Sequence, residues 1–223
     1  MIRGRMKHIA KGNTAEILAY DENCICKLFF AGFPEKYARR EFDNAQAVGR
    51  LGIKTPRAHQ FIHLDGRNGI VYDRVVGEEL ASKMSGDDEG TLSDWMEKFT
   101  GFHRALLEHS IDDVMDYREF LLMFADSPET IAQIHELSDG NCLLHGDYHP
   151  ANVLVGKDGQ LFLIDMMNVC KGPAVYDVAR TYFLLGNHPC WQQKYLERMP
   201  YDLDDLTPYL NVISAIRAKE MSH

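Results

Sequence analysis

The chain has 223 residues, 45% of them hydrophobic and 26% charged, and a formal net charge of −9 at pH 7. That length supports a real core in one or two domains, while the acidic balance argues against a nucleic-acid partner, whose phosphates need a basic surface. No run approaches the ~18 apolar residues of a membrane span, and MIRGRMKHIA has no apolar centre for a signal peptide, so a cytoplasmic protein without a membrane partner is expected.

Three strands are expected first, Lys7 to Ala10, Ala15 to Tyr20 and Cys24 to Phe30, with turns at Lys11-Gly12-Asn13 and Asp21-Glu22-Asn23. Both faces of the third strand are apolar. Lys27 shares its side with Ile25 and Phe29, and an enclosed ammonium there needs an anionic partner. The alternative is an edge-strand lysine that discourages aggregation. Cys24 and Cys26 lie on one face of this strand and read as buried thiols. With Cys142, Cys170 and Cys190 they match neither a disulfide framework nor a zinc spacing. A helix from Pro34 to about Gly52 packs through Ala38, Ala45 and Val48, with Phe42 and Leu51 nearby, and Glu41 falls within that face. Glu41 is therefore a natural partner for Lys27, unless it sits at the stripe's edge with its head in solvent.

After Lys54-Thr55-Pro56 come strands from Arg57 to Leu64 and from Gly69 to Val76, split by a turn at Asp65-Gly66-Arg67-Asn68. Glu78 to Gly90 reads as a polar connector, most loop-like at Ser85-Gly86-Asp87-Asp88. From Thr91 a long amphipathic helix follows, with Leu92, Trp95, Met96, Phe99, Phe102, Leu106 and Leu107 at helical spacing. His103 in that stripe reads as a core histidine with a local hydrogen bond. Shorter helices are expected from Asp116 to Ala125 and from Pro128 to Leu137.

Chemistry concentrates between Leu143 and Asn168. Asp147, Asn152 and Asp165 each stand where an apolar strand gives way to a turn or loop. Asn152 opens Val153-Leu154-Val155, which turns through Gly156-Lys157-Asp158-Gly159 and returns as Leu161 to Ile164. Such a hairpin is expected to bring Asp165 back beside Asn152. Any one of the three alone reads as an Asx-turn. Together, a carboxylate and an amide oxygen suit magnesium and a substrate's phosphates, with Asp147 left free as a base.

Asp147 and Asn152 also have the spacing of the kinase catalytic loop H-R-D-x-x-x-x-N, with His145-Gly146-Asp147 in place of the H-R-D. The segment HGDYHPANVL resembles the catalytic-loop motif of the aminoglycoside phosphotransferase and choline kinase family, a branch of the protein-kinase-like fold. The resemblance runs from Gly12 to Arg180. It implies a two-lobed α+β fold: a small sheet-rich N-lobe for nucleotide over residues 1–76 and a mainly helical C-lobe for catalysis and substrate over 77–223. Gly12, Asn13 and Thr14 would meet phosphate through a reduced form of the G-x-G-x-x-G loop, similar to a G-N-T-x-E variant; an ordinary hairpin turn is the alternative. Lys27 with Glu41 would hold the α- and β-phosphates, and the backbone from Asp73 to Val75 would meet a purine. Asp147 would be the base, Asn152 and Asp165 the magnesium ligands, His145 a scaffold and Asp177 a brace for the loop.

The activity so implied is transfer of the γ-phosphoryl group of magnesium ATP or GTP to a hydroxyl of a small molecule: an aminoglycoside, a choline-like amine or a sugar. Two departures from the family pattern stand out. Met166-Met167-Asn168 follow Asp165 where a second acid is usual, and the phosphate loop has one glycine. They motivate an alternative, a catalytically weak nucleotide-binding or scaffold protein of the same fold. The short stretch from Asp165 to Gly172 leaves no long activation segment, which argues against a protein substrate. Near the C-terminus Asp202, Asp204 and Asp205 suit either a helix N-terminus or a lining for a cationic acceptor. Acceptor, nucleotide and oligomeric state are not written in the sequence.

Overall fold

The computed structural model describes residues 6–86 and 88–220. Two compact units divide them. One runs to Gly77 and takes in Leu154–Met167; the other holds Glu78–Val153 and the chain from Asn168 onward.

The first unit is built on a five-stranded antiparallel sheet of β1 (His8–Lys11), β2 (Ala15–Ala19), β3 (Cys24–Phe29), β4 (Ala58–Leu64) and β5 (Arg67–Asp73), in the order β1-β2-β3-β5-β4. β3 is therefore central, and Lys27 is no edge residue: it faces Ile17 on one side and Ile70 on the other. The turn between β4 and β5 has two residues rather than four. Asp65 and Gly66 both take positive φ (49° and 74°), the mirror-image turn that matches strand twist, so pairing resumes at once with Leu64 opposite Arg67. Helix α1 (Glu35–Gly49) follows Pro34 and buries Ala38, Glu41, Asn44, Ala45, Ala47 and Val48 against β4 and β5.

Where a polar connector was expected, the chain forms strand β6 (Gly77–Glu79) and then helix α2 (Leu80–Met84). Leu80 and Met84, four residues apart, are both fully buried, and that pair is enough to turn a polar stretch into one packed helical turn. Asp87 of the expected loop lies outside the described residues. Asp88 caps α3 (Glu89–Leu107) by accepting from the Thr91 amide. Then come α4 (Tyr117–Leu122), α5 (Pro128–Glu136) and β7 (Cys142–Leu144). The hairpin of β8 (Val153–Gly156) and β9 (Leu161–Leu163) returns to the first unit, where the Leu163 amide donates to the Lys54 carbonyl at 2.9 Å. β10 (Cys170–Gly172) pairs antiparallel with β7, and α6 (Ala174–Leu184), α7 (Pro189–Leu196) and α8 (Leu203–Glu220) complete the helical part. Asp204 and Asp205 occupy the first turn of α8, and Asp202 accepts from both their amides, so the acidic group serves as that helix's N-terminus. No described helix is long and apolar enough to cross a membrane.

Candidate active site

In the first unit, strand alternation turns Lys27 inward, and there its ammonium lies 2.8 Å from both carboxylate oxygens of Glu41 and 3.2 Å from Asp165 Oδ1. Glu41 is 1% exposed and Lys27 9%, so neither charge leans on water and each must be satisfied by the other. Tyr72, on β5, donates its hydroxyl to Glu41 Oε1 at 3.1 Å. Burial works against the Lys27 charge, but the carboxylates of Asp165 and Glu41 outweigh it and hold the ammonium's pKa above its ordinary value. Burial raises the Glu41 carboxyl in spite of Lys27 beside it. One ammonium between two carboxylates leaves the ionised cluster a negative charge in excess.

Asp165 reaches this cluster from a left-handed backbone, φ 65°, which a short polar side chain tolerates better than most. The chain beyond it is pinned by Asn44, whose amide donates to the Met166 carbonyl at 2.8 Å. Asn44 lies one turn after Glu41 on α1. That helix thus supplies the glutamate and also fixes the segment carrying Asp165. Nothing in the sequence reading singled out Asn44; its signal was a polar residue on an otherwise apolar face.

The segment from His145 to Asn152 lies in the second unit and is held from beneath. Asp177, in the first turn of α6, is fully buried and accepts from the amides of His145 (2.7 Å) and Gly146 (2.8 Å), one with each oxygen. His103 bridges Asp177 (3.1 Å) and the Tyr195 hydroxyl (2.8 Å), and its ring stacks on Tyr148 at 3.9 Å between centroids. Its partners are long-range, which corrects the expected local hydrogen bond. Arg180, one turn after Asp177, donates Nε to the Gly146 carbonyl at 3.1 Å. Gly146 itself takes φ 73°, and a Cβ there would sit 2.3 Å from the Asn168 carbonyl oxygen, so only glycine fits.

On this frame Asn152, closing a 3-10 turn at Pro150–Asn152, donates Nδ2 to the Asp147 carbonyl (2.9 Å) and to Asp147 Oδ2 (3.1 Å). The ring of His149 stands 3.6 Å from the same carboxylate oxygen. Burial pushes the Asp147 carboxyl up, but His149, Arg180 and His145 prevail and bring it down to about 2. With a side chain 25% exposed, Asp147 is an ionised acceptor open to a ligand. The five-residue spacing thus creates a direct side-chain contact between Asp147 and Asn152.

The structure therefore assembles Lys27, Glu41 and Asp165 in one unit and Asp147 with Asn152 in the other. The remaining expected residues belong to the first unit. Gly12 and Asn13 are exposed and Thr14 half-buried in the turn between β1 and β2. Asp73 ends β5, and its amide is already donated to the Arg57 carbonyl at 3.0 Å; Val75 follows, half-buried. Each residue expected to hold magnesium presents an oxygen of the kind that ion takes. Asp165 keeps a carboxylate 40% exposed, and both hydrogen bonds of Asn152 use its nitrogen, which leaves the amide oxygen for a cation.

Residues 103–198 match the family model of the phosphotransferase enzyme family. No match was found among curated protein sequences. Several solved structures are similar over nearly the whole chain. A thermostable mutant of aminoglycoside phosphotransferase APH(4)-Ia, in ternary complex with AMP-PNP and hygromycin B, is 15% identical, with 98% of this chain and 88% of that one covered at a TM-score of 0.67. APH(3'')-Id from Streptomyces rimosus, in complex with ADP and streptomycin, is 14% identical over 96% and 94%, with a TM-score of 0.68. APH(2")-IIia, in complex with GDP and kanamycin, is 13% identical over 98% and 88%, with a TM-score of 0.64. The matched segment contains Asp147, Asn152, Asp165, Asp177 and Arg180, whereas Lys27 and Glu41 lie outside it and rest on the fold. Residues 103–198 are thus similar to the phosphotransferase enzyme family, and the fold of the chain is the protein-kinase-like fold seen in the aminoglycoside phosphotransferases.

Proposed function

We propose that this phosphotransferase moves the γ-phosphoryl group of a magnesium nucleotide, ATP or GTP, to a hydroxyl of a small molecule such as an aminoglycoside, a choline-like amine or a sugar. The buried contact of Lys27 with Glu41 and Asp165 carries this reading. An ammonium enclosed between two carboxylates is costly as mere structure and apt for phosphate oxygens. In this reading the lobe up to residue 76 holds the nucleotide and the lobe from 77 onward the acceptor, in a cytoplasmic setting. Gly12, Asn13 and Thr14 meet phosphate through the backbone, and the chain from Asp73 to Val75 meets the purine. Magnesium, when bound, neutralises charge on the phosphates; Asn152 and Asp165 would hold it.

Asp147 accepts the hydrogen bond of the incoming hydroxyl and orients its oxygen. A carboxylate with a pKa of about 2 is a weak base toward an alcohol. It therefore takes the proton only as the alcohol oxygen turns acidic on bonding to phosphorus, and positioning dominates its contribution. The alternative, a nucleotide-binding or scaffold protein with weak catalysis, draws on the single glycine of the phosphate loop and on the methionines after Asp165.

A thermal-shift comparison of ATP and GTP, with and without magnesium, on the wild type and on Asp165→Ala tests the reading. Stabilisation that requires magnesium and vanishes in Asp165→Ala supports it, and an acceptor screen then follows. No stabilisation by either nucleotide overturns it. Stabilisation without transfer to any acceptor of a broad panel favours the scaffold alternative.

A further inference from the structure

At one end of the five-stranded sheet, three donor side chains from three adjacent strands converge. Cys24 opens β3, His59 is the second residue of β4, and Asp73 ends β5, the strand between them. Cys24 and Asp73 are directly paired across the sheet. Their ligand atoms and a ring nitrogen of His59 all lie within 4.8 Å of one another. None of the three belongs to the Lys27 cluster or to the segment from His145 to Asn152, and Asp73 enters the proposed purine-binding stretch through its backbone, not its side chain.

We propose that Cys24 Sγ, His59 Nε2 and Asp73 Oδ1 form a binding site for a borderline-soft divalent cation of the zinc(II) class, with a fourth coordination position open to water. The donor set is the first argument. A thiolate, an imidazole and a carboxylate suit zinc, whereas magnesium and calcium take oxygen alone. The charges of thiolate and carboxylate also cancel those of a divalent ion.

The local backbone is the second argument. Pairing between β4 and β5 slips by one residue between Ala58 and Gln60, and His59 is the residue inside the slip. An extra residue in one strand of an antiparallel pair is a device that re-aims a side chain. The carboxylate is held as ligating carboxylates are, since Asp73 Oδ2 accepts from the Arg57 amide at 3.2 Å and leaves Oδ1 toward the imidazole.

The simpler reading is a surface hydrogen bond between His59 and Asp73, 2.6 Å long. The thiol stands outside that pair, with the Asp21 carboxylate as its hydrogen-bond partner. Burial, then the carboxylates of Asp21 and Asp73, raise the Cys24 pKa, so the sulfur stands in a negative field that a cation would relieve. Tetrahedral bonds of about 2.0–2.3 Å separate neighbouring ligands by roughly 3.3–3.6 Å. The imidazole and carboxylate must therefore move apart, which side chains 36% and 51% exposed can do by rotation. Binding deprotonates the thiol and releases its proton to solvent.

The test uses the full chain, freed of metal by a chelator and kept in excess magnesium so that oxygen-only sites are filled. Cobalt(II) is titrated as a spectroscopic substitute and zinc(II) as its competitor. One equivalent of cobalt with a sulfur-to-metal charge-transfer band, displaced by zinc, is expected. Cys190→Ser should keep the band, because that exposed thiol lies outside the site. Cys24→Ser should abolish it, and His59→Gln should weaken zinc binding by more than about tenfold. If Cys24→Ser fails to fold, His59→Gln at its half-exposed position decides the question. No saturable band in the wild type, a band lost in Cys190→Ser, or unchanged affinity in His59→Gln overturns the proposal. A band reports sulfur, which the carboxylate and amide proposed for magnesium lack, so failure here leaves the phosphotransfer reading standing.

Discussion

The two units hold their charged residues in opposite ways. In the first, Lys27 meets its counter-charges directly, with Glu41 almost entirely enclosed and Tyr72 completing the carboxylate's contacts. In the second, Asp147 keeps a quarter of its side chain open beside a buried Asn152, and the buried charges of Asp177 and Arg180 grip the loop's backbone. An enclosed ammonium must be neutralised where it stands, because burial removes the water that would solvate it. Asp147, left partly open, takes its position from the frame under it.

The contrast can be broken most sharply at Asp147. Asp147→Asn keeps size and leaves the frame intact, so turnover should fall by on the order of 10²–10⁴ while nucleotide affinity stays unchanged; steady-state kinetics beside a binding titration measure both. Retained turnover would remove Asp147 from its role. Asp177→Ala attacks the frame instead. It leaves two amides and His103 without their acceptor, and should cost about 3–5 kcal/mol in urea unfolding.

In the first unit, Lys27→Met should cost roughly 3 kcal/mol, because Glu41 is left buried and uncompensated. The double variant Lys27→Met/Glu41→Leu should recover a large part of that loss, and a simple sum of the two single effects would show that the pair does not act as a unit. Tyr72→Phe removes one hydrogen bond to Glu41 and should cost only about 1 kcal/mol.

Acid should distinguish the frame as well. Burial pushes the Asp177 carboxyl up, but the hydrogen bond and charge of His103, with His145, hold it below the ordinary carboxylate range. A depressed folded pKa gives stability that is complete above the unfolded value of ~3.9 and is lost as pH falls through the folded value. Wild-type stability should therefore drop steeply below about pH 4, and Asp177→Asn should show a shallower slope there. Equal slopes in the two proteins would remove Asp177 as the acid-sensitive group.

Much of the architecture is legible in the strand alternation around Lys27 and in the helical stripe from Ala38 to Val48, since both report burial through periodicity. The pairing of Lys27 with Glu41 follows from the same logic, because each is a charge on an apolar face. Helix α2 was missed because a five-residue element has too few positions to display a period, and its polar residues resemble a connector. Asn44 was missed because an amide on a packed face looks like tolerated polarity until its acceptor is known. Cys24 reads as a buried thiol by strand position alone; His59 and Asp73 reach it only once three strands lie side by side.

By itself, then, the sequence determined the alternating strands, the packing face that carries Glu41, the need of Lys27 for an anion, and the spacing that joins Asp147 to Asn152. These rest on local periodicity and on the cost of burying charge, which act over a few residues. Tertiary structure alone decided that Asp165, 138 residues from Lys27, completes its ion pair, and that His103 reaches Asp177 across 74 residues and Tyr195 across 92. Partners so far apart meet through the packing of whole elements, and their order along the chain does not encode which of them become neighbours.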